Sequence, residues 1–263
     1  MQDDNDKAEV IHTKIWQEKA SADNPFVADK CFCSGYDVYG ELLNKASWFE
    51  YIWLLFKLEK PQKWQVKLFE KIAIAIANPG IRDYSVRAAM NAGVGGSTSA
   101  STLMAALAVG AGQLCGARDV YSAVLNWEEC KYDLTKWCTA IGNLKNKEVD
   151  GWPEKEHPSG FDPNSSICAK PVIQTLDLCA SIDGADSAKW LYMNRGKLEE
   201  TAGMPIAMTA VIGAVFYDLQ FNADQSEMVC LILRLPGTAA HALEQKELGW
   251  KKYPFYLDKY VIK

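Results

Sequence analysis

Between Gly95 and Gly116 the chain reads GGSTSASTLMAALAVGAGQLCG. Alanine, leucine and methionine favour helix, and Ser97 or Thr98 is placed to cap its start. What constrains the fold is that this helix has almost no polar face. A helix apolar all round belongs in a core or a subunit interface, where neighbours cover it on several sides. Its small residues let those neighbours approach closely, so the rest of the chain, or a second copy of it, has to supply them.

The sequence does supply helices, and strand alternation is scarce. ELLNKASWFEYIWLLFKLEKP places apolar residues at Leu42, Leu43, Trp48, Ile52, Leu55 and Phe56, a pattern for two short helices joined near Lys45. After Pro61, QKWQVKLFEKIAIAIA keeps an apolar stripe until Asn78-Pro79-Gly80 stops it. Further helical stripes cover RDYSVRAAMNAG, Val120 to Cys130, VIQTLDLCASI, SAKWLYMNRGKLEETAG, PIAMTAVIGAVFYDL and finally Ser226 to Gln245. The fold class is all-α. Periodicity fades from about Asn143 to Lys170, where Pro153, Pro158 and Pro163 punctuate the chain. A loop that long in a compact domain is functional or disordered, and Trp152, His157 and Phe161 argue for an ordered one. The expected organisation is an N-terminal extension (1–33), a large helical domain (34–122 and 201–263) and a small domain (123–200).

At 263 residues, 49% of them hydrophobic, the chain can bury a substantial core. Lys and Arg number 28 against 33 Asp and Glu, a net charge of -5, and no basic run marks a nucleic-acid partner. YIWLLF and the stretch Thr102 to Leu114 fall short of the roughly 18 apolar residues a membrane helix needs. The acidic start, MQDDNDKAEVIH, has no export-signal character, so the eight cysteines are expected reduced and the protein cytoplasmic. Cys31 and Cys33 form a lone C-x-C without a second pair at zinc spacing, so no metal site is expected.

One stretch combines charge with a broken helix. In LILRLPGTAAHALEQ, Arg234 ends an apolar run and precedes Pro236-Gly237. Proline removes a helix hydrogen bond and bends or thins the helix there. Either Arg234 reaches solvent or the local geometry aims it at an anion, for which its planar fork suits a carboxylate.

The order of these features resembles the citrate synthase superfamily. The resemblance is carried by GYDVYGELLNKASWFEYIWLLFKLEKP early in the chain, and by GAVFYDLQF followed by LILRLPGTAAHALEQ near its end. The short length and the HALEQ ending look most like citryl-CoA lyases and the related domain of ATP-citrate lyase. The resemblance implies a large helical domain with a smaller one inserted, and carbon–carbon bond cleavage or formation next to a CoA thioester. It implies an acyl-CoA and a small di- or tricarboxylate as substrates, no permanently bound cofactor, and no nucleic-acid or membrane partner. A homodimer or higher homo-oligomer is expected, because pairing of copies would cover the apolar helix.

In that family a carboxylate removes the α-proton of the acyl-CoA, histidines polarise enol and keto acid, and arginines hold carboxylates. This sequence departs from the pattern. Leu114 or Cys115 stands where a histidine precedes the family's G-G-A element, and NPG stands where D-H-G is found. Thr209 stands at the catalytic aspartate, and a threonine hydroxyl is no base at neutral pH. SGFDP replaces G-F-G-H-P, placing Asp162 at the histidine. The expected catalytic residues are therefore Asp162 and His157, five apart and able to pair if the loop folds back. The expected substrate-binding residues are Arg234, Lys170 at a family arginine position, Arg82 and Arg87 after the NPG break, and His241, for which packing is the competing role. Cys115 lacks a neighbouring histidine in the sequence, and an apolar setting raises a thiol's pKa, which disfavours a nucleophile. The alternative reading is a non-catalytic paralogue that binds a CoA thioester or serves as a regulatory or partner subunit.

Overall fold

The computed structural model describes residues 13–144 and 157–253. Part of the proline-rich stretch, Trp152 included, lies outside the described residues. The chain divides into two compact units, 1–66 and 67–263.

The first unit contains a small sheet that the sequence pattern does not reveal. Strands β1 (Trp16–Ala20), β2 (Ala28–Cys33) and β3 (Tyr36–Asp37) form an antiparallel meander. The β2–β3 turn is Ser34-Gly35, both at positive φ, as a two-residue hairpin turn that follows strand twist requires. Asp37 then accepts the Gly40 N–H and starts a π-helical turn, Val38–Leu42, which runs into α1 (Leu43–Lys45). The expected break near Lys45 is present. α2 (Trp48–Lys57) restarts at a capping box in which Ser47 accepts the Glu50 N–H and Glu50 accepts the Ser47 N–H. Cys33, Leu42 and Leu54 form this unit's core under Trp16, Tyr36 and Tyr51. Cys31 and Cys33 are free thiols, both raised above the ordinary thiol pKa by burial.

α3 (Lys63–Ile76) leads into the second unit, which is helical as expected: α4 (Tyr84–Val94), α5 (Ser99–Gly110), α6 (Ala117–Cys130), α7 (Leu134–Leu144), α8 (Lys170–Ala180), α9 (Asp186–Ala202), α10 (Met208–Asp218) and α11 (Ala223–Leu248). The buried helix at its centre is α10, with every residue from Thr209 to Phe216 enclosed. It packs on α6 and α9, while α11 packs on α4, α5 and α6. Trp127 on α6 gathers Trp137 of α7, Trp190 of α9 and Tyr217 of α10 about its ring at 5.0–5.6 Å between centroids.

The small-residue helix is α5, capped by Thr98. Ala106 meets Ala89 of α4 and Ala242 of α11, the close approach its alanines allow. Its enclosure is one-sided: Met104 is 62% and Val109 45% exposed. On α11, Met228 and Ile232 are exposed as well.

α11 runs through Pro236 without a break. The next amide, Gly237 N–H, leaves the helix ladder and donates to the Ala77 carbonyl at 2.8 Å. A Cβ on Gly237 would collide with that carbonyl and with Asn78. The Pro-Gly pair is therefore the place where α11 crosses the end of α3 at backbone distance. Among the described residues, no helix is long and apolar enough to cross a membrane, and no group of three His, Cys, Asp or Glu side chains could hold a metal ion.

Candidate active site

Arg234 is buried in the second unit, so of the two roles open to it in the sequence the solvent-facing one is excluded. It lies on α11 two residues before Pro236. One guanidinium nitrogen donates to Asp83 Oδ2 and another to the Cys115 carbonyl at 3.3 Å. Asp83 also caps α4: its Oδ1 accepts the Ser85 N–H at 2.9 Å, the Val86 N–H and the Ser85 hydroxyl. One carboxylate thus starts a helix and neutralises a buried cation, which gives Arg234 the partner a low-dielectric site demands.

Cys115 precedes α6 with φ +54, a backbone conformation that side chains other than glycine adopt rarely. Its thiol is pushed up to about 11, first by burial and then by the charges of Asp119, Asp162 and Asp83, with Arg234 pulling the other way. It is a protonated thiol at neutral pH. The same four charges define the site: three carboxylates and one guanidinium about Cys115.

Asp119 sits in the first turn of α6, favoured there by the helix dipole, and is 3% exposed. The Thr209 hydroxyl donates to its Oδ2 at 2.5 Å and the Gly160 N–H donates to its Oδ1 at 3.2 Å. Asp119 is absent from the sequence-derived candidates. The signal for it was a charged residue at a buried phase of an otherwise apolar helix stripe, with Val120, Ala123, Val124 and Trp127.

The loop carrying His157 and Asp162 does fold back, but it brings the two to different partners. His157 is buried, with Nε2 4.0 Å from Asp119 Oδ1 and without a hydrogen-bond partner among the described residues. Asp162 is half-buried; its N–H donates to the Pro205 carbonyl at 2.9 Å and its Oδ1 accepts the Asn164 N–H. A Phe161–Ile206 bridge and an Ala207 N–H donated to the Gly160 carbonyl continue this short antiparallel pairing. Pro205 also lines a cavity of about 430 Å³ with Met204, Cys168, Ile167, Ile173, Arg195 and Glu199.

The remaining candidates stand apart from this cluster. His241 takes a packing position: Nε2 meets Asn78 Oδ1 at 3.0 Å and Nδ1 lies 3.6 Å from Glu244, at the same α3–α11 crossing that Gly237 makes. Arg82 and Lys170 are exposed, and Arg87 lies over the Tyr84 ring at 5.2 Å. Among the described residues, none of these three is one of the groups gathered about Cys115.

No protein-family model and no curated protein matches the sequence. Solved structures do match its fold. Citryl-CoA lyase from Hydrogenobacter thermophilus aligns with a TM-score of 0.72 at 17% identity, over 91% of this chain and 88% of that one. ATP citrate lyase from Methanothrix soehngenii, in complex with citrate and coenzyme A, aligns at 0.69 and 16% identity over 90% of this chain, which spans only 40% of that longer protein. Citrate synthase from Thermoplasma acidophilum, in a ternary complex with carboxymethyl coenzyme A and oxaloacetate, aligns at 0.58 and 19% identity over 76% of this chain and 53% of the other. The helical architecture expected from the sequence is thus the observed one: the chain shares its fold with citryl-CoA lyase and, over a smaller part, with citrate synthase.

Proposed function

We propose that this protein is a carbon–carbon lyase or condensing enzyme acting on a CoA thioester and a small keto acid. The observation that carries the reading is the placement of Asp162: a half-buried carboxylate whose own backbone is hydrogen-bonded to Pro205, a wall of the 430 Å³ cavity. A cavity of that size is in the range of small-molecule sites. Its apolar side, Ile167, Ile173, Met204 and Pro205, suits the extended chain of an acyl thioester, and Arg195 suits an anionic group on it.

In this mechanism Asp162 is the base that exchanges the proton next to the thioester carbonyl; such a proton is weakly acidic, so base position matters as much as base strength. Arg234 holds a substrate carboxylate, which replaces Asp83 in the guanidinium fork. His157 acts through the loop it belongs to. Exposed Met104 and Val109 on α5 and Met228 and Ile232 on α11, two helices that pack together, support a pair of chains as the working species.

A second reading has its own support. The three carboxylates exceed the one guanidinium by two negative charges, and Arg234 and Asp119 already have partners. That describes a non-catalytic paralogue that binds a CoA thioester by the cavity alone, or a regulatory or partner subunit. Calorimetric titration with acetyl-CoA, citryl-CoA and oxaloacetate, followed by turnover assays on the same preparation, separates the two. Thioester binding with citryl-CoA cleavage or synthesis supports the enzyme. Binding without turnover in either direction supports the paralogue.

A further inference from the structure

We propose that Asp119 is a positioning residue: it holds the 157–162 loop in the place where Asp162 can exchange a proton with substrate. The proposal rests on the role given to Asp162 above. Asp119 is too deeply buried to touch substrate itself. A carboxylate so placed is costly unless donors reach it, and here the donors come from two other parts of the chain. Thr209 Oγ, 90 residues away, opens α10, and the Gly160 N–H, 41 residues away, belongs to the loop. Asp119 therefore joins α6, α10 and the loop at one point.

Two further observations separate this from an ordinary core contact. First, the loop is seated by its backbone at the point that Asp119 grips. Gly160 has φ +89, and a Cβ there would lie 3.0 Å from the Ala210 side chain on α10. Asp162, two residues on, is held by the Pro205 carbonyl, so a shift at Gly160 is passed to the Asp162 carboxylate. Second, the network is not closed. His157 Nε2 is buried, stands 4.0 Å from Asp119 Oδ1 and makes no hydrogen bond among the described residues. Buried polar groups are normally paired, and a stability-driven network would pair this one. The loop position is set by the Asp119–Gly160 bond instead, at the expense of the histidine.

A misplacement of about 1 Å costs a reaction about a hundredfold, which sets the scale of the expected effect. The variants are Asp119→Asn, which keeps the shape and removes the charge, Thr209→Val, which removes the hydroxyl, and Thr209→Ser, which restores it. Turnover of citryl-CoA is measured alongside hydrogen exchange of the 157–162 peptide in the full chain. Asp119→Asn is expected to lower kcat roughly ten- to a hundredfold with KM for the thioester within about twofold. Thr209→Val lowers kcat by less, and Thr209→Ser recovers most of it. Exchange in the loop accelerates about tenfold or more in Asp119→Asn, while α11 keeps its protection. Unchanged kcat in Asp119→Asn overturns the proposal, and so does faster exchange spread evenly over loop and α11, which marks a general core residue. If the parent protein turns over no citryl-CoA, the enzyme reading falls by itself. Exchange then decides alone: selective loosening of the loop supports Asp119 as its anchor, and none refutes it.

Discussion

Two buried networks in the second unit differ in how they hold charge. In one, Arg234 and Asp83 are opposite charges whose side chains are 10% and 14% exposed. In the other, Asp119 is a carboxylate that accepts hydrogen bonds from Thr209 and Gly160, and its side chain is 2% exposed. The first pair can trade a partner, because Asp83 meets Arg234 through one oxygen only, and a ligand carboxylate can offer the guanidinium two. The second cannot be reached without dismantling three elements. On the function proposed above, the two aspartates have separate tasks: Asp83 competes for a binding group, and Asp119 places one.

The largest expected effect breaks the first network outright. Arg234→Ala leaves the Asp83 charge beside an empty space and removes the guanidinium that meets the Cys115 carbonyl. Breaking one partner of a buried pair costs about 3–5 kcal/mol in unfolding free energy. Binding of oxaloacetate or citrate weakens by roughly ten- to a hundredfold, and Arg234→Lys recovers only part of it for want of the planar fork. Denaturant unfolding checks the first value and calorimetry the second. A variant that unfolds at the same midpoint and binds as the parent does would remove Arg234 from the site.

Asp218 tests what backbone donors do for a half-buried carboxylate. It accepts the Ser187 N–H at 2.7 Å and the Ala188 N–H at 3.0 Å, at the start of α9. Burial pushes it up to about 6, against those hydrogen bonds, and Asp186 raises it further. The folded chain thus binds this proton more tightly than the unfolded chain. The stability this gives is present below the ordinary aspartate value and is lost as pH rises through about 6. The unfolding free energy of the parent minus that of Asp218→Asn should fall by on the order of 1–3 kcal/mol between pH 4 and pH 7. A gap that is constant with pH, or that grows, contradicts this assignment.

Gly237→Ala sharpens the comparison from the backbone side. Its Cβ would meet the Ala77 carbonyl and Asn78, neither of which is the free end of a flexible chain. The expected cost is about 1–3 kcal/mol, as for other overpacked sites. Because the crossing lies three residues beyond Arg234, binding weakens too if α11 sets the guanidinium position. Equal stability of Gly237→Ala and the parent in denaturant would show that the crossing gives way freely.

The sequence made the helices legible because each buries one face, and 3.6-residue spacing records that directly. It made the meander at 16–37 illegible, because strands of two to six residues with mostly exposed side chains leave no alternation to read. α7, Leu134–Leu144, is a further helix that the stripes read from the sequence do not include. Within the site, Arg234 was readable as an arginine in an apolar run beside Pro-Gly. The partners Asp83 and Asp119 were not, since they lie 151 residues from Arg234 and 90 from Thr209, and nothing local announces which helices cross. His157 and Asp162 were legible as loop residues with chemistry, whereas their separation onto opposite partners depends on the pairing of 160–162 with 205–207.

The smallest expected effect has the opposite sign from the others. Asp83→Asn keeps an acceptor for the Ser85 and Val86 N–H groups, so the α4 cap survives; asparagine caps helices as well as aspartate does. What disappears is the negative charge on Arg234. On the proposed function, a substrate carboxylate in the parent competes with Asp83 for the guanidinium, and the two cancel much of each other's benefit. In the variant that competition is gone, and oxaloacetate should bind a few-fold tighter, while the protein loses less stability than Arg234→Ala does, because the asparagine oxygen still accepts from the guanidinium. The tightening should shrink at high salt, since added anions take over the exposed part of the cation. Weaker oxaloacetate binding in Asp83→Asn would mean that Asp83 orients Arg234 for substrate instead of competing with it. The exchangeable network would then be as fixed as the one around Asp119.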